Sequence, residues 1–311
     1  MYIHGARFAN FADCGPNTFL KTGRLYRYGR RSGVSSLSEL ARLIAAEGLT
    51  APRGRDFFDY AVFYNYVKDF YERVPERTEG IRLPLSAWHE DLKIAVFRER
   101  EYGSGLYFAI KGGHNNESHN HNDVGSFLLY KDGRPVLIDA GSGSYTKKTF
   151  SPERYTIWNM SSAYHNLPII GGYAQKNGAR YASREEYFDG ETRRVCMELA
   201  DAYETEAPVC SFVRACAFGG ASVEITDALR LSEKTSVQFR FLTTERPALL
   251  SPGRVSLPEG MTLSFDPALA FEAAEVEAES YSPKGSFDTD ALWQIRLSTE
   301  TEEEKFVFTI E

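Results

Sequence analysis

GGHNNESHNHNDVGSFLLYKDGRPVLIDAGSGSY, residues 112–145, decides how this chain is read. It holds three of the six histidines and ends an apolar run on an aspartate. Phe127 and Leu129, then Val136 and Ile138, sit at the two-residue period of strands, and Lys131-Asp132-Gly133 between them has the chemistry of a hairpin turn. His119 and His121 are one residue apart, so on an extended strand both imidazoles would share a face, which Asp123 would continue. The stretch therefore predicts polar, metal-competent groups mounted on a β-hairpin.

Working outward, residues 93–98 and 105–111 read as strands joined by the turn Glu101-Tyr102-Gly103-Ser104. Beyond Tyr181 short strands recur, at 193–199, 209–218, 222–229, 235–243, 291–298 and 305–310, the pattern of a large antiparallel sandwich. Residues 272–279, acidic and rich in alanine, read as an exposed strand or loop. Towards the N-terminus, Ser36-Leu37-Ser38-Glu39 matches a capping box and opens a helix to about Glu47, stopped by Gly48. Leu37, Leu40, Leu43 and Ile44 form its apolar stripe. A second helix is expected over 56–73, and residues 1–35 read as irregular. The predicted fold is mainly β, a large antiparallel β-sandwich over 81–311 preceded by a short α-helical portion over 1–80.

Charge and cysteine usage narrow the function. With 36 basic and 43 acidic side chains the net charge is −7, which gives no footprint for nucleic acid or an anionic membrane. No apolar run reaches 18 residues, and Met1-Tyr2-Ile3-His4-Gly5 does not resemble an export signal. The compartment stays open between the cytoplasm and, if a longer parent carries a leader, the periplasm or the exterior. Cys14, Cys196, Cys210 and Cys216 form no C-x-x-C pair and read as free, buried thiols.

Asp139 follows the strand Val136-Leu137-Ile138 and precedes Ala140-Gly141, so its carboxylate is expected at a sheet rim. His121, Asp139 and His165 would give two histidines and a carboxylate, leaving an open fourth position at a tetrahedral zinc ion. Three common patterns with HxH lack a required feature here. A metallo-β-lactamase-type hydrolase would want histidine where Val124 stands, a cupin would want a glutamate shortly after His121, and an amidohydrolase would want βα alternation downstream. A cupin-like oxygenase would also carry iron or manganese rather than zinc.

A fourth pattern fits over a longer stretch. Gly112-Gly113, His119-x-His121-x-Asp123, Gly125-Ser126-Phe127, Asp132-Gly133-Arg134-Pro135, Ile138-Asp139-x-Gly141, Tyr145 and Ala163-x-His165-Asn166 together closely resemble the heparinase II/III-like polysaccharide lyases. Arg214, Val223-x-Ile225-x-Asp227 and the segment Phe8-Ala9-Asn10-Phe11-Ala12-Asp13 are also similar to that family. The resemblance implies an N-terminal α/α toroid, of which residues 1–80 would be the end, joined to a C-terminal sandwich. It implies β-elimination on uronic-acid glycans. By the same resemblance His121, Asp139 and His165 match the positions of a structural zinc, and His119 matches a histidine that reaches the cleft and serves the uronate carboxylate or proton transfer.

The family's catalytic tyrosine lies upstream in the toroid. None of Tyr26, Tyr28, Tyr60 and Tyr64 sits in its context. The expected role is thus the C-terminal region of a zinc-containing lyase acting on an acidic polysaccharide or oligosaccharide, with enzyme activity in the full-length parent and a homodimer left open. The alternative is a non-catalytic carbohydrate-binding or structural sandwich that keeps the zinc for stability.

Overall fold

The computed structural model describes residues 1–5, 7–17, 22–46, 82–101, 103–279 and 281–311. The helix expected over 56–73 lies outside them. Two short strands open the chain, β1 (Tyr2–His4) and β2 (Arg7–Phe8), paired antiparallel. The helices α1 (Thr22–Ser32) and α2 (Ser35–Ala46) follow.

Helix α1 corrects the irregular reading of residues 1–35. Its sequence, TGRLYRYGRRS, has few apolar residues, so its helical period shows in Arg24, Arg27, Arg30 and Arg31, which recur on one face, and not in an apolar stripe. What it offers is Gly29, where a β-carbon would lie 2.6 Å from the Ser38 hydroxyl oxygen of α2. A residue that reads as a helix breaker is thus a point of close helix approach. The buried face of α2 is Ser38, Ala41 and Ile44, with the expected leucines only half-buried.

The smaller sheet is built from β3 (Ser86–His89), β4 (Ile94–Arg98) and β5 (Leu106–Lys111), then, after the short β6 (His114–Asn115), from β7 (Phe127–Lys131) and β8 (Arg134–Leu137). Its order is β3-β4-β5-β7-β8, every neighbour antiparallel. The β7–β8 hairpin closes as predicted through Asp132 and Gly133, at φ 50° and 76°, the left-handed pair that matches the twist of adjoining strands.

The larger sheet takes β9 (Ile169–Ile170), β11 (Arg184–Asp189), β12 (Arg194–Glu198), β13 (Val209–Phe218), β14 (Val223–Thr243), β15 (Leu249–Ser251), β16 (Arg254–Ser256), β17 (Thr262–Ser264), β18 (Ala270–Glu275) and β19 (Trp293–Ile310). The short β10 (Gly178–Ala182) pairs with β6 instead, and the five-residue helix α3 (Pro283–Phe287) precedes β19. The segments expected as 222–229 and 235–243 are one strand of 21 residues, as 291–298 and 305–310 belong to one of 18. Polar residues between the apolar stretches masked this continuity. The β14–β19 ladder runs through with only a register shift between Arg230 and Thr235.

The two sheets pack as a sandwich. One face of the smaller sheet sends Ala95, Phe97, Phe108, Ile110, Phe127 and Leu129 into a core shared with Phe212, Ile225, Phe239, Phe241, Ile295 and Phe308 of the larger. Its other face, Ile94, Val96, Tyr107, Ala109, Leu128 and Tyr130, is covered by Ile3, Ala9 and Phe11. Burial on both faces explains why β7 reads FLLYK without polar alternation. It also fixes the N-terminal segment beside the loops at the end of this sheet.

Candidate functional site

The HNHND run does not form a strand. Residues 116–126 are a loop, and His119 has φ 61°, a left-handed backbone that side chains with a β-carbon seldom adopt. Asp123 therefore does not continue the histidine face. Its carboxylate pairs with buried Lys111 at 2.6 Å, and the same ammonium reaches Glu117 at 3.0 Å, which ties the two ends of the loop together. Burial opposes the Lys111 charge, but the two carboxylates outweigh it and raise its pKa.

His119 and His121 nevertheless converge on one group, the Asp13 carboxylate. Packing of Phe11 against the sheet, the Asn10 amide donating to the Asp139 carbonyl at 2.9 Å, and the Ser142 amide donating to the Cys14 carbonyl at 3.3 Å hold this segment in place. Gly141 makes the approach feasible, since a β-carbon there would lie 2.1 Å from the Cys14 carbonyl oxygen. Asp13 Oδ1 faces His121 Nε2 at 2.9 Å. Its Oδ2 accepts from the Tyr145 hydroxyl at 2.7 Å and Arg154 Nη2 at 2.7 Å, and lies 3.2 Å from His119 Nδ1.

The charges follow from these contacts. Burial works against ionised Asp13, yet hydrogen bonds from His121, Arg154 and Tyr145 prevail and hold its carboxyl well below the usual carboxylate range. Burial and the same carboxylate push the Tyr145 hydroxyl up to about 12, so it stays a donor. His119 Nδ1 faces both Asp13 and the Tyr145 oxygen, 2.9 Å away, while 65% of the side chain is open to solvent. A carboxylate behind Nδ1 favours the proton there, which leaves Nε2 as the exposed basic nitrogen.

Behind this layer His121, Asp139 and His165 are all fully buried. His165 Nδ1 bonds Asp139 Oδ2 at 2.9 Å, and Asp139 Oδ1 accepts the Gly141 amide at 2.9 Å. Burial would lower the His165 pKa, but the Asp139 carboxylate raises it. The rings of His121 and His165 lie 5.5 Å apart, and among the described residues His121 Nδ1 and His165 Nε2 are buried without hydrogen-bond partners. Two orphaned imidazole nitrogens in a buried site suit a cation that takes nitrogen ligands, with Asp139 orienting one of them from behind. Asp139 is engaged with His165 and Gly141, and among the described residues no three His, Cys, Asp or Glu side chains group as a metal site.

Asn166 completes the arrangement by joining the sheets. Its amide nitrogen donates to Phe127 O at 2.5 Å and Ile138 O at 3.1 Å, and its oxygen accepts the Leu242 amide at 2.7 Å. The fully buried Arg214 makes two bonds to Asp227, at 2.7 and 2.6 Å, and spends its third nitrogen on the Gly125 and Asn166 carbonyls.

The heparinase II/III-like C-terminal domain model matches residues 82–309. The chain belongs to this family of polysaccharide lyases. Among solved structures, the heparan sulfate lyase HepC from Pedobacter heparinus is similar with a TM-score of 0.65 at 13% identity, over 98% of this chain and 43% of its own. A heparinase III structure matches with a TM-score of 0.63 at 15% identity, over 99% of this chain and 44% of that one. These likenesses show the shared fold, and this chain spans less than half the length of either protein. A comparison with curated proteins found no match to the sequence.

In this heparinase II/III-like domain the fold brings His119, His121, Asp139 and His165 close together, and the sequence reading assigned no role to their neighbours Asp13, Tyr145 and Arg154. Asp13 and Tyr145 appeared only inside the family pattern, and nothing in local sequence tells that a carboxylate 106 residues before His119 is its partner. The thiols also differ from expectation. All four cysteines are free, but Cys14 and Cys210 are exposed and only Cys216 is buried.

Proposed function

We propose that this chain supplies the sandwich wall of an active site that cleaves uronic-acid glycans by β-elimination, facing a helical half that carries the catalytic tyrosine. The observation that carries the reading is His119: an exposed imidazole, held in a strained backbone and fixed through Nδ1 by the buried Asp13 carboxylate. The reaction removes a proton from the carbon α to the uronate carboxylate and returns one to the departing glycosidic oxygen. His119 Nε2 is placed to move such a proton or, when protonated, to neutralise the uronate carboxylate as negative charge grows on it. Asp13 is the positioning residue that fixes the imidazole through Nδ1, the logic of a carboxylate behind a histidine.

His121 and His165 are the residues that would hold a structural zinc, with Asp139 orienting His165 from behind, and the ion's chemistry there would be to lock the loop bearing His119 against the rim strand. The two unpartnered nitrogens support this assignment. The full-length parent, given uronic-acid glycans, is expected to release products with the ultraviolet absorbance of unsaturated uronides, and His119→Ala should lower kcat at least ~100-fold. Absence of that signal across heparin-like, chondroitin-like and alginate substrates would sink the proposal for those classes.

A further inference from the structure

Beside His119 runs a continuous display of aromatic rings. The His119 and Tyr145 rings stack with centroids 6.3 Å apart and planes 21° apart, and Tyr145 meets Phe150 edge-on at 5.6 Å. Phe150 is 77% exposed, more than any other large hydrophobic residue described, and Tyr145 is 44% exposed. Single exposed apolar side chains are ordinary on a protein surface, but Phe150 adjoins Tyr145 and so extends the apolar surface of the candidate site. The loop that carries it is pinned. Thr149 is buried at 2% exposure, its hydroxyl accepts the Thr146 amide at 3.0 Å, and its carbonyl accepts from Arg154 Nη1 at 3.3 Å. Lys147 and Lys148 lie between the two aromatics, both exposed, and among the described residues neither pairs with a carboxylate.

We infer that Tyr145, Lys147, Lys148 and Phe150 form a glycan subsite adjoining His119 that takes an acidic sugar unit next to the bond being cleaved. An aromatic face is electron-rich and packs against the C–H face of a pyranose ring, whereas the two ammonium groups match a carboxylate or sulfate on the same unit. Charge decides between an acidic and a neutral occupant: on a chain of net charge −7, two adjacent free lysines beside an exposed aromatic are a local reversal of sign. A preformed loop also spares the ordering cost that a flexible one would add on binding. This inference rests on the lyase reading.

Titration calorimetry of the chain with a hexasaccharide of alternating glucuronate and N-acetylglucosamine, and with neutral cellohexaose, tests it. Binding of the acidic sugar should weaken about tenfold in Phe150→Ala and in Lys147→Ala/Lys148→Ala, the lysine variant also losing most of the salt dependence. Tyr187→Ala, another exposed aromatic, should change nothing. If the acidic sugar binds all variants as it binds the parent sequence, or if cellohexaose binds as tightly, the subsite is wrong while the lyase reading stands. If the chain binds neither sugar the subsite also fails, and the lyase reading is then judged by its product assay alone.

Discussion

Asp13 is the residue on which the candidate site turns, because four side chains share its two oxygens. One of them reports on the network by titration. Tyr145 is pushed up to about 12 from the ordinary 10.0, so between these pH values the folded chain retains a proton that the unfolded chain gives up. Stability from this group is then fully present below pH 10 and falls as pH rises towards 12. Tyr145→Phe should flatten that part of the stability–pH curve, measured by urea unfolding against the parent chain. A curve of unchanged slope would show that the hydroxyl is not held by Asp13. The orphaned nitrogens of His121 and His165 make a second residue-level prediction. Purified protein should hold about one zinc per chain, and His121→Ala should lose it with a lower melting temperature. A metal content and melting point both unchanged in that variant would remove the metal assignment.

Among elements, the N-terminal segment and the strand end at 139–141 act as one unit, since Asp13 reaches the histidines only because Cys14 passes over Gly141. Gly141 has φ 62° and no space for a β-carbon. Gly141→Ala should therefore cost about 2 kcal/mol or more, from backbone strain and from displacement of the segment. Thiol-reagent labelling of Cys14 should also speed up in that variant. Labelling at the parent rate with unchanged stability would mean that the segment is not clamped here. The 116–126 loop shows the same dependence at another place, because a strand would have separated Asp123 from Lys111 and kept the two histidines in file. The loop buries His121 and exposes His119 while both address one carboxylate.

For the whole molecule, the join between the sheets is polar as well as apolar. Arg214 on β13 reaches Asp227 on β14 and, across the sandwich, the carbonyls of Gly125 and Asn166. Removing one partner of a buried ion pair strands the other, so Arg214→Ala should destabilise by about 3–5 kcal/mol in denaturant unfolding, and Arg214→Met/Asp227→Leu by clearly less. A loss under about 1 kcal/mol in the single variant would show that the pair is not what couples the sheets. How much of this was legible beforehand differs by feature. Two-residue periodicity and turn chemistry act locally, so the antiparallel strands, the Asp132-Gly133 turn and the sandwich class could be read from the chain directly. Helix α1 was legible only in the spacing of its arginines, because it packs by a close approach at Gly29 rather than by an apolar stripe. The residue types of the site were visible for a related reason: histidines and aspartates crowd into one stretch, and their order matches a family. Their pairing was settled by the fold alone. A carboxylate finds its imidazole through the path of the chain, and only the packing of Ile3, Ala9 and Phe11 on the outer face of the smaller sheet brings Asp13 to His119 and His121.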